Sequence, residues 1–143
     1  MEAKFGSVSS CTIRPRDLIS EFASELRHLR GSLPRDLFDD IRRLRDCDGE
    51  DAHMVVDSLF DALNDYAPAY GYFGTHPGDG ADYGFWLSEG WEQDARDNGA
   101  LFVEDPGDIP TGYSGEVVHI NDHGNVTLYI ARSGKLREAW AVV

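Results

Sequence analysis

Two turns pair histidine with carboxylate, His76-Pro-Gly-Asp79-Gly-Ala-Asp82 and His119-Ile-Asn-Asp122-His123-Gly-Asn125. Imidazoles and carboxylates bind divalent metal ions, and a bound metal activates water. If the turns meet, His76, Asp79, His119, Asp122 and His123 would make a small metal-dependent hydrolase or ligand site. The competing reading is local: Asp and Asn in turns bond to nearby backbone, and His123-Gly124 fits a hairpin tip. Nucleophile signatures are missing, since Gly112-Tyr-Ser114-Gly115 is not Gly-x-Ser-x-Gly and Gly134-Lys135 lacks the preceding phosphate-loop glycine. His-Glu-x-x-His is also absent, and Cys11 and Cys47 form neither a metal spacing nor a disulfide framework, so they read as reduced thiols. Asp46-Cys-Asp48-Gly-Glu50 has its glycine at the fourth position where a calcium loop needs it at the sixth, and a helix cap explains it more simply. No catalytic residue, metal or cofactor is assigned, and an enzyme is the less favoured class.

Carboxylates provide the stronger signal. From Asp48 to Ala131 the chain has 17 acidic side chains and one basic one, Arg96, while the first 47 residues are nearly balanced and the last 12 are slightly basic. The formal charges of these stretches are +1, −16 and +2, giving −13 in 143 residues. Ordinary soluble surfaces intersperse the two signs, so a segregation this strong exceeds what solubility needs. It repels nucleic acid and anionic lipid and steers basic partners. The sharpest row is Asp57, Asp61 and Asp65, at i, i+4 and i+8 on a helical pattern. Four residues of helix rise roughly 6 Å, whereas a DNA strand places a phosphate about every 3.4 Å, so this row alone is too sparse to imitate a duplex. Asp79, Asp82, Glu89 and Glu92 are the candidates for a second row. Eight of the 16 aromatic residues lie between Tyr66 and Trp91, and Tyr72 and Trp86 among them could anchor a partner steered by the charges, the remainder forming sheet core.

The elements that must position these residues follow from periodicity. Pro15 suits a first helical turn, and Leu18, Phe22, Leu26 and Leu29 form a stripe that ends at Gly31. Ser32 is the expected cap of a second helix carrying Leu33, Leu37, Ile41 and Leu44, and Asp48 that of a third with Val56, Leu59, Phe60 and Leu63. Pro68 closes the helical part. Residues 70–75 and 82–87 then read as a hairpin, Trp91 to Asp97 as a short helix, Leu101-Phe-Val as a strand and 106–115 as a loop. Three strands, 115–121, 126–132 and 136–143, should form a meander. Alternation assigns Val118, Ile120, Val126, Leu128, Ile130, Trp140 and Val142 to its core face, with His119, Thr127 and Tyr129 opposite. The expected class is α+β: two or three helices packed on a largely antiparallel sheet. It is read as a single domain over 1–143, helical to about 67 and stranded from about 68, because either part alone would be small for a core. With no apolar run long enough for a membrane span and no secretory leader, a cytoplasmic location is expected.

The closing run Val118-His-Ile-Asn-Asp-His-Gly-Asn-Val-Thr-Leu-Tyr, with Arg137-Glu-Ala-Trp-Ala-Val-Val, resembles the end of small uncharacterised proteins carried by bacterial phages, plasmids and integrated elements. The resemblance covers about the last third of the chain and implies a bacterial host cell but no activity. By analogy with acidic anti-CRISPR and anti-restriction proteins, the expectation is a non-enzymatic inhibitor. It would meet a basic nucleic-acid-binding protein, such as a CRISPR surveillance complex, through one acidic face, and bind neither nucleic acid nor membrane directly. A scaffold or regulatory subunit is the remaining alternative.

Overall fold

A computed structural model describes residues 2–143. The fold is α+β, with helices concentrated in the first half and mostly antiparallel strands in the second. Among the described residues the strands form two sheets, of three and four strands. The chain divides into two compact units, one up to Leu87 and the other Ser88–Val143. This division falls beyond Pro68 because the hairpin after that proline packs with the helices that precede it.

In the first unit, β1 (Gly6–Ser9) is followed by α1 (Pro15–Arg30), α2 (Arg35–Leu44), α3 (Glu50–Asn64) and the hairpin strands β2 (Gly71–His76) and β3 (Asp79–Leu87). The sheet order is β1-β3-β2, antiparallel throughout. Helix α1 buries the foreseen Leu18, Phe22, Leu26 and Leu29 together with Ile19, and α3 buries Val55, Val56, Leu59 and Leu63. Both stripes close on Phe73 and Phe85, one face of the sheet. The Phe73 ring meets Phe22 at 5.1 Å, Phe60 at 5.2 Å and Phe85 at 5.0 Å between centroids, so α1, α3, β2 and β3 share one aromatic cluster. Asn64 Oδ1 accepts the Phe73 N–H at 2.9 Å and ties the end of α3 to β2.

Helix ends differ from the sequence expectation in two places. Gly31 does stop α1, in the left-handed region at φ 89°, with its N–H on the Arg27 carbonyl. Ser32 does not cap α2, whose N-cap is Pro34, nor does Asp48 cap α3, whose N-cap is Gly49. Asp48 serves α1 instead: its Oδ1 accepts the Arg16 backbone N–H at 3.2 Å, and its Oδ2 meets Arg14 Nη2 at 3.1 Å and Arg16 Nε at 3.0 Å. A carboxylate from the α2–α3 connection thus satisfies an orphan donor and opposes the positive end of another helix.

Strand β1 has no counterpart in the sequence pattern, being four residues long and Gly/Ser-rich. It lies against the central strand because Gly84 has no side chain; a Cβ there would collide with the Gly6 carbonyl.

In the second unit, α4 (Trp91–Asp97) precedes β4 (Leu101–Val103), β5 (Gly115–Ile120), β6 (Val126–Arg132) and β7 (Lys135–Val142), in sheet order β4-β5-β6-β7. The meander is as expected. Its β6–β7 turn has Ser133 and Gly134 both at positive φ, 53° and 77°, the conformation that matches hairpin twist. Strand β4 adds to β5 in parallel, the chain returning through a 3₁₀ turn at Pro106–Asp108.

The face assigned to Tyr129 is not a solvent face. Val103, Val117 and Ala131 form a buried cluster there, against which Tyr129, Leu101, Ile109 and Tyr113 pack. Val118, Leu128 and Trp140, paired across three strands, are buried on the other face, whereas Ile120, Val126, Ile130 and Val142 are only half-buried. Apolar residues on both faces of β5 bury part of each face, so alternation separates the two faces but leaves neither wholly to solvent.

Candidate functional site

Helix α3 brings the acidic row to the surface by the same periodicity that buries its stripe. Asp57 and Asp61 are exposed on the helix, and Asp65, also exposed, is its C-cap residue, with right-handed backbone at φ −64°. Among the described residues none of these three side chains has a hydrogen bond or a cation partner. The helix has no basic residue in its last turn, unlike α1 with Arg27, His28 and Arg30 and α2 with Arg42 and Arg43. Asp61 and Asp65 therefore stand at the negative end of a helix dipole that nothing offsets locally, each at a cost of about 0.5 kcal/mol.

The exposed side of α3 also has an apolar centre that the sequence stripe did not account for. Met54 is 62% exposed, with Asp51 three residues before it, Asp57 three after, Ser58 four after and Asp61 seven after, all neighbours on one helical face. Beside it runs a groove of about 380 Å³ between α2 and α3, lined by Leu44, Met54 and Val55 with Asp40, Arg43, Asp51 and Ser58. Arg43 Nη2 is held by Asp40 Oδ1 at 3.3 Å, so the cation nearest the groove is already engaged. The signal for Met54 was its offset by one residue from Val55 in an otherwise charged helical face.

The other acidic candidates are distributed differently. Asp79 is exposed in the β2–β3 turn, where Oδ1 accepts the Ala81 N–H at 3.0 Å. Asp82, half-buried, accepts the Ser7 hydroxyl at 2.5 Å and alternates with Tyr83 and Phe85, which point toward the helices. Asp82 thus belongs to the sheet face away from α3. Tyr72 and Trp86 pair across the strands on that same face, both half-buried. Their polar tips are spent locally: Tyr72 OH donates to the Thr75 carbonyl and Trp86 Nε1 to the Gly74 carbonyl, each at 3.0 Å. Glu89 and Glu92 are exposed and belong to the second unit, before and within the first turn of α4. In that unit Arg96, the one cation of the acidic stretch, lies 3.9 Å from the centroid of the Phe102 ring.

The histidine turns show local roles. His76 Nδ1 accepts the Gly78 N–H at 2.9 Å, and its ring meets Trp86 edge-on at 4.8 Å. His119 Nε2 lies 3.1 Å from the Glu104 carbonyl, which can only accept, so that nitrogen carries the proton. Asn121, not Asp122, organises the next turn, its Oδ1 accepting from the His123 and Asn125 N–H groups at 2.9 and 3.0 Å. Asp122 and His123 are exposed. Among the described residues no three His, Cys, Asp or Glu side chains gather as a metal site. Cys11 and Cys47 are free thiols, both exposed.

A further cavity of about 570 Å³ lies at the start of α1, lined by hydroxyls of Ser9, Ser10, Thr12 and Ser20 and by charges of both signs, including Arg16, Asp17 and Asp46. Asp17 Oδ2 is taken by the Thr12 hydroxyl at 2.7 Å. Among the described residues no helix is long and apolar enough to cross a membrane. No family model, curated protein or solved structure matches this chain.

Proposed function

We propose that this protein is a non-catalytic docking protein whose acidic α3 face occupies the basic surface of a nucleic-acid-binding protein and so excludes nucleic acid from it. The carrying observation is the set of unpartnered carboxylates at Asp57, Asp61 and Asp65, two of them at a helix end where they cost stability. A surface serving solubility alone gains nothing from that placement, whereas a binding surface requires charge where the partner's Lys and Arg side chains will be. Occlusion follows because carboxylates replace the phosphate contacts that position a protein on nucleic acid. A CRISPR surveillance complex, with its basic nucleic-acid channel, is the first target to test.

The test is competition. Purified basic DNA-binding proteins, including such a complex, are titrated with labelled DNA in the presence of this protein and of its Asp57→Asn/Asp61→Asn/Asp65→Asn variant. The parent is expected to displace DNA from at least one of them, and the variant to do so at least tenfold less well. A folded variant that competes as well as the parent, or a parent that displaces DNA from none, argues against the reading.

A further inference from the structure

The acidic face of α3 is not uniformly polar, and its apolar centre narrows what can dock there. Met54 projects from the middle of the face, 62% exposed, while the neighbouring groove between α2 and α3 has Leu44 and Val55 in its lining. Carboxylates border this apolar strip on both sides, with Asp40 and Asp51 along the groove and Asp57 and Asp61 along the helix. A phosphate-binding surface is an array of cations and offers nothing to Met54. An amphipathic basic helix offers both parts, an apolar ridge at three- and four-residue spacing and Lys or Arg on its flanks. Methionine suits this role because its unbranched thioether adapts to different apolar ridges.

We propose that the α2–α3 groove receives a cationic amphipathic helix of the partner, whose apolar ridge packs on Met54 and Leu44 while its Lys and Arg side chains meet Asp51, Asp57 and Asp61. This rests on the acidic-face reading and deepens it, since charge then steers and the apolar strip selects. Arg43 and Asp40 pair at the α2 side of the groove and leave that side close to neutral, so the incoming cations are drawn to the α3 carboxylates.

Three synthetic peptides of equal length test it: an amphipathic Leu/Lys helix, a peptide of the same charge in which Ser and Gly replace Leu, and the amphipathic pattern with Glu in place of Lys. Affinities are measured by fluorescence anisotropy at low and physiological salt for the parent, Met54→Ser and Asp57→Asn/Asp61→Asn. Met54 is exposed, so its substitution leaves the core stripe in place. The parent should bind the Leu/Lys helix about tenfold more tightly than the Ser/Gly peptide, in line with burial of one large apolar side chain. Met54→Ser should abolish that preference while retaining the salt dependence. Asp57→Asn/Asp61→Asn should weaken both cationic peptides, and the Glu peptide should not bind. Equal affinity of the parent for the two cationic peptides, or a preference that survives Met54→Ser, overturns the groove while leaving the acidic face standing. Cationic binding insensitive to Asp57→Asn/Asp61→Asn removes both.

Discussion

Asp48 shows how one carboxylate can be assigned a role that its sequence neighbourhood does not announce. The Arg16 backbone N–H above all holds its pKa below the ordinary 3.8; desolvation, the next largest influence, opposes it, and the Arg14 and Arg16 side chains lower it further. A carboxyl whose folded pKa is depressed stabilises the fold fully above its unfolded value and loses that contribution as pH falls through the folded value. The melting temperature of Asp48→Asn should therefore lie below the parent's at pH 7, and the difference should close as pH drops below 3.8. A difference that persists undiminished at pH 2 would mean that the contact works through shape and not charge. Both arginines that bind Asp48 lie more than 30 residues before it, and that separation hid the contact. Asp48 precedes a helix and looks like its cap, so local capping rules led to the wrong helix. Met54 was missed for the opposite reason: the stripe was read from Val56, Leu59, Phe60 and Leu63, and one apolar residue outside it has no periodicity of its own.

At the scale of elements, α1, the stripe of α3, the β2–β3 hairpin, α4 and the β5–β6–β7 meander were legible because each rests on a strong local pattern: period 3.6, period 2 with turn residues, or glycine at a helix stop. Strand β1 and the parallel addition of β4 were not, since a four-residue and a three-residue strand are specified by distant partners. Of the candidate site, the α3 row was legible as charge at helical spacing. Its separation from Asp82 was not, because which face of β3 meets the helices depends on register with β1 and β2. Helix α3 also links stability to binding. Asp61→Asn and Asp65→Asn remove carboxylates from the negative end of its dipole, so the double variant should be more stable than the parent by about 1 kcal/mol, measured by urea denaturation at low ionic strength. Binding to the cationic amphipathic helix should weaken in that same variant. Gain of stability with loss of affinity is the pattern expected of residues retained for recognition. If stability falls, these carboxylates make a contact that supports the fold, and the dipole argument fails.

For the whole molecule the deciding quantity is a formal charge of −13, of which −16 belongs to residues 48–131 and is offset by small positive sums at the two ends. Binding to nucleic acid draws much of its free energy from counterions released as Lys and Arg neutralise phosphates, so affinity depends on how many cations one surface can gather. Here Arg14 and Arg16 share Asp48, Arg43 is held by Asp40, Arg45 lies 4.0 Å from Asp46, and Arg96 lies over Phe102. These five cations are thus already engaged by the protein's own carboxylates or rings. Arg132, Lys135 and Arg137 make a short basic run along β6 and β7, three charges against the phosphate of a duplex, while Arg27 and Arg30 lie at the end of α1 and Arg35 and Arg42 on α2. By the counterion relation three contacts change affinity only about fortyfold between 50 and 200 mM salt, and the acidic stretch opposes even the approach. The purified protein should accordingly show no submicromolar affinity for random-sequence duplex DNA or for RNA in a mobility-shift or anisotropy titration at 150 mM salt. The complex with a cationic partner should weaken steeply with salt over the same range, and less steeply once Asp57, Asp61 and Asp65 are neutralised, because fewer ion contacts remain to be screened. Tight duplex binding would place a nucleic-acid contact on one of the basic runs, along β6–β7 or on α1 and α2, and make the acidic surface a bystander. A salt slope unchanged by neutralisation would move the interface away from α3.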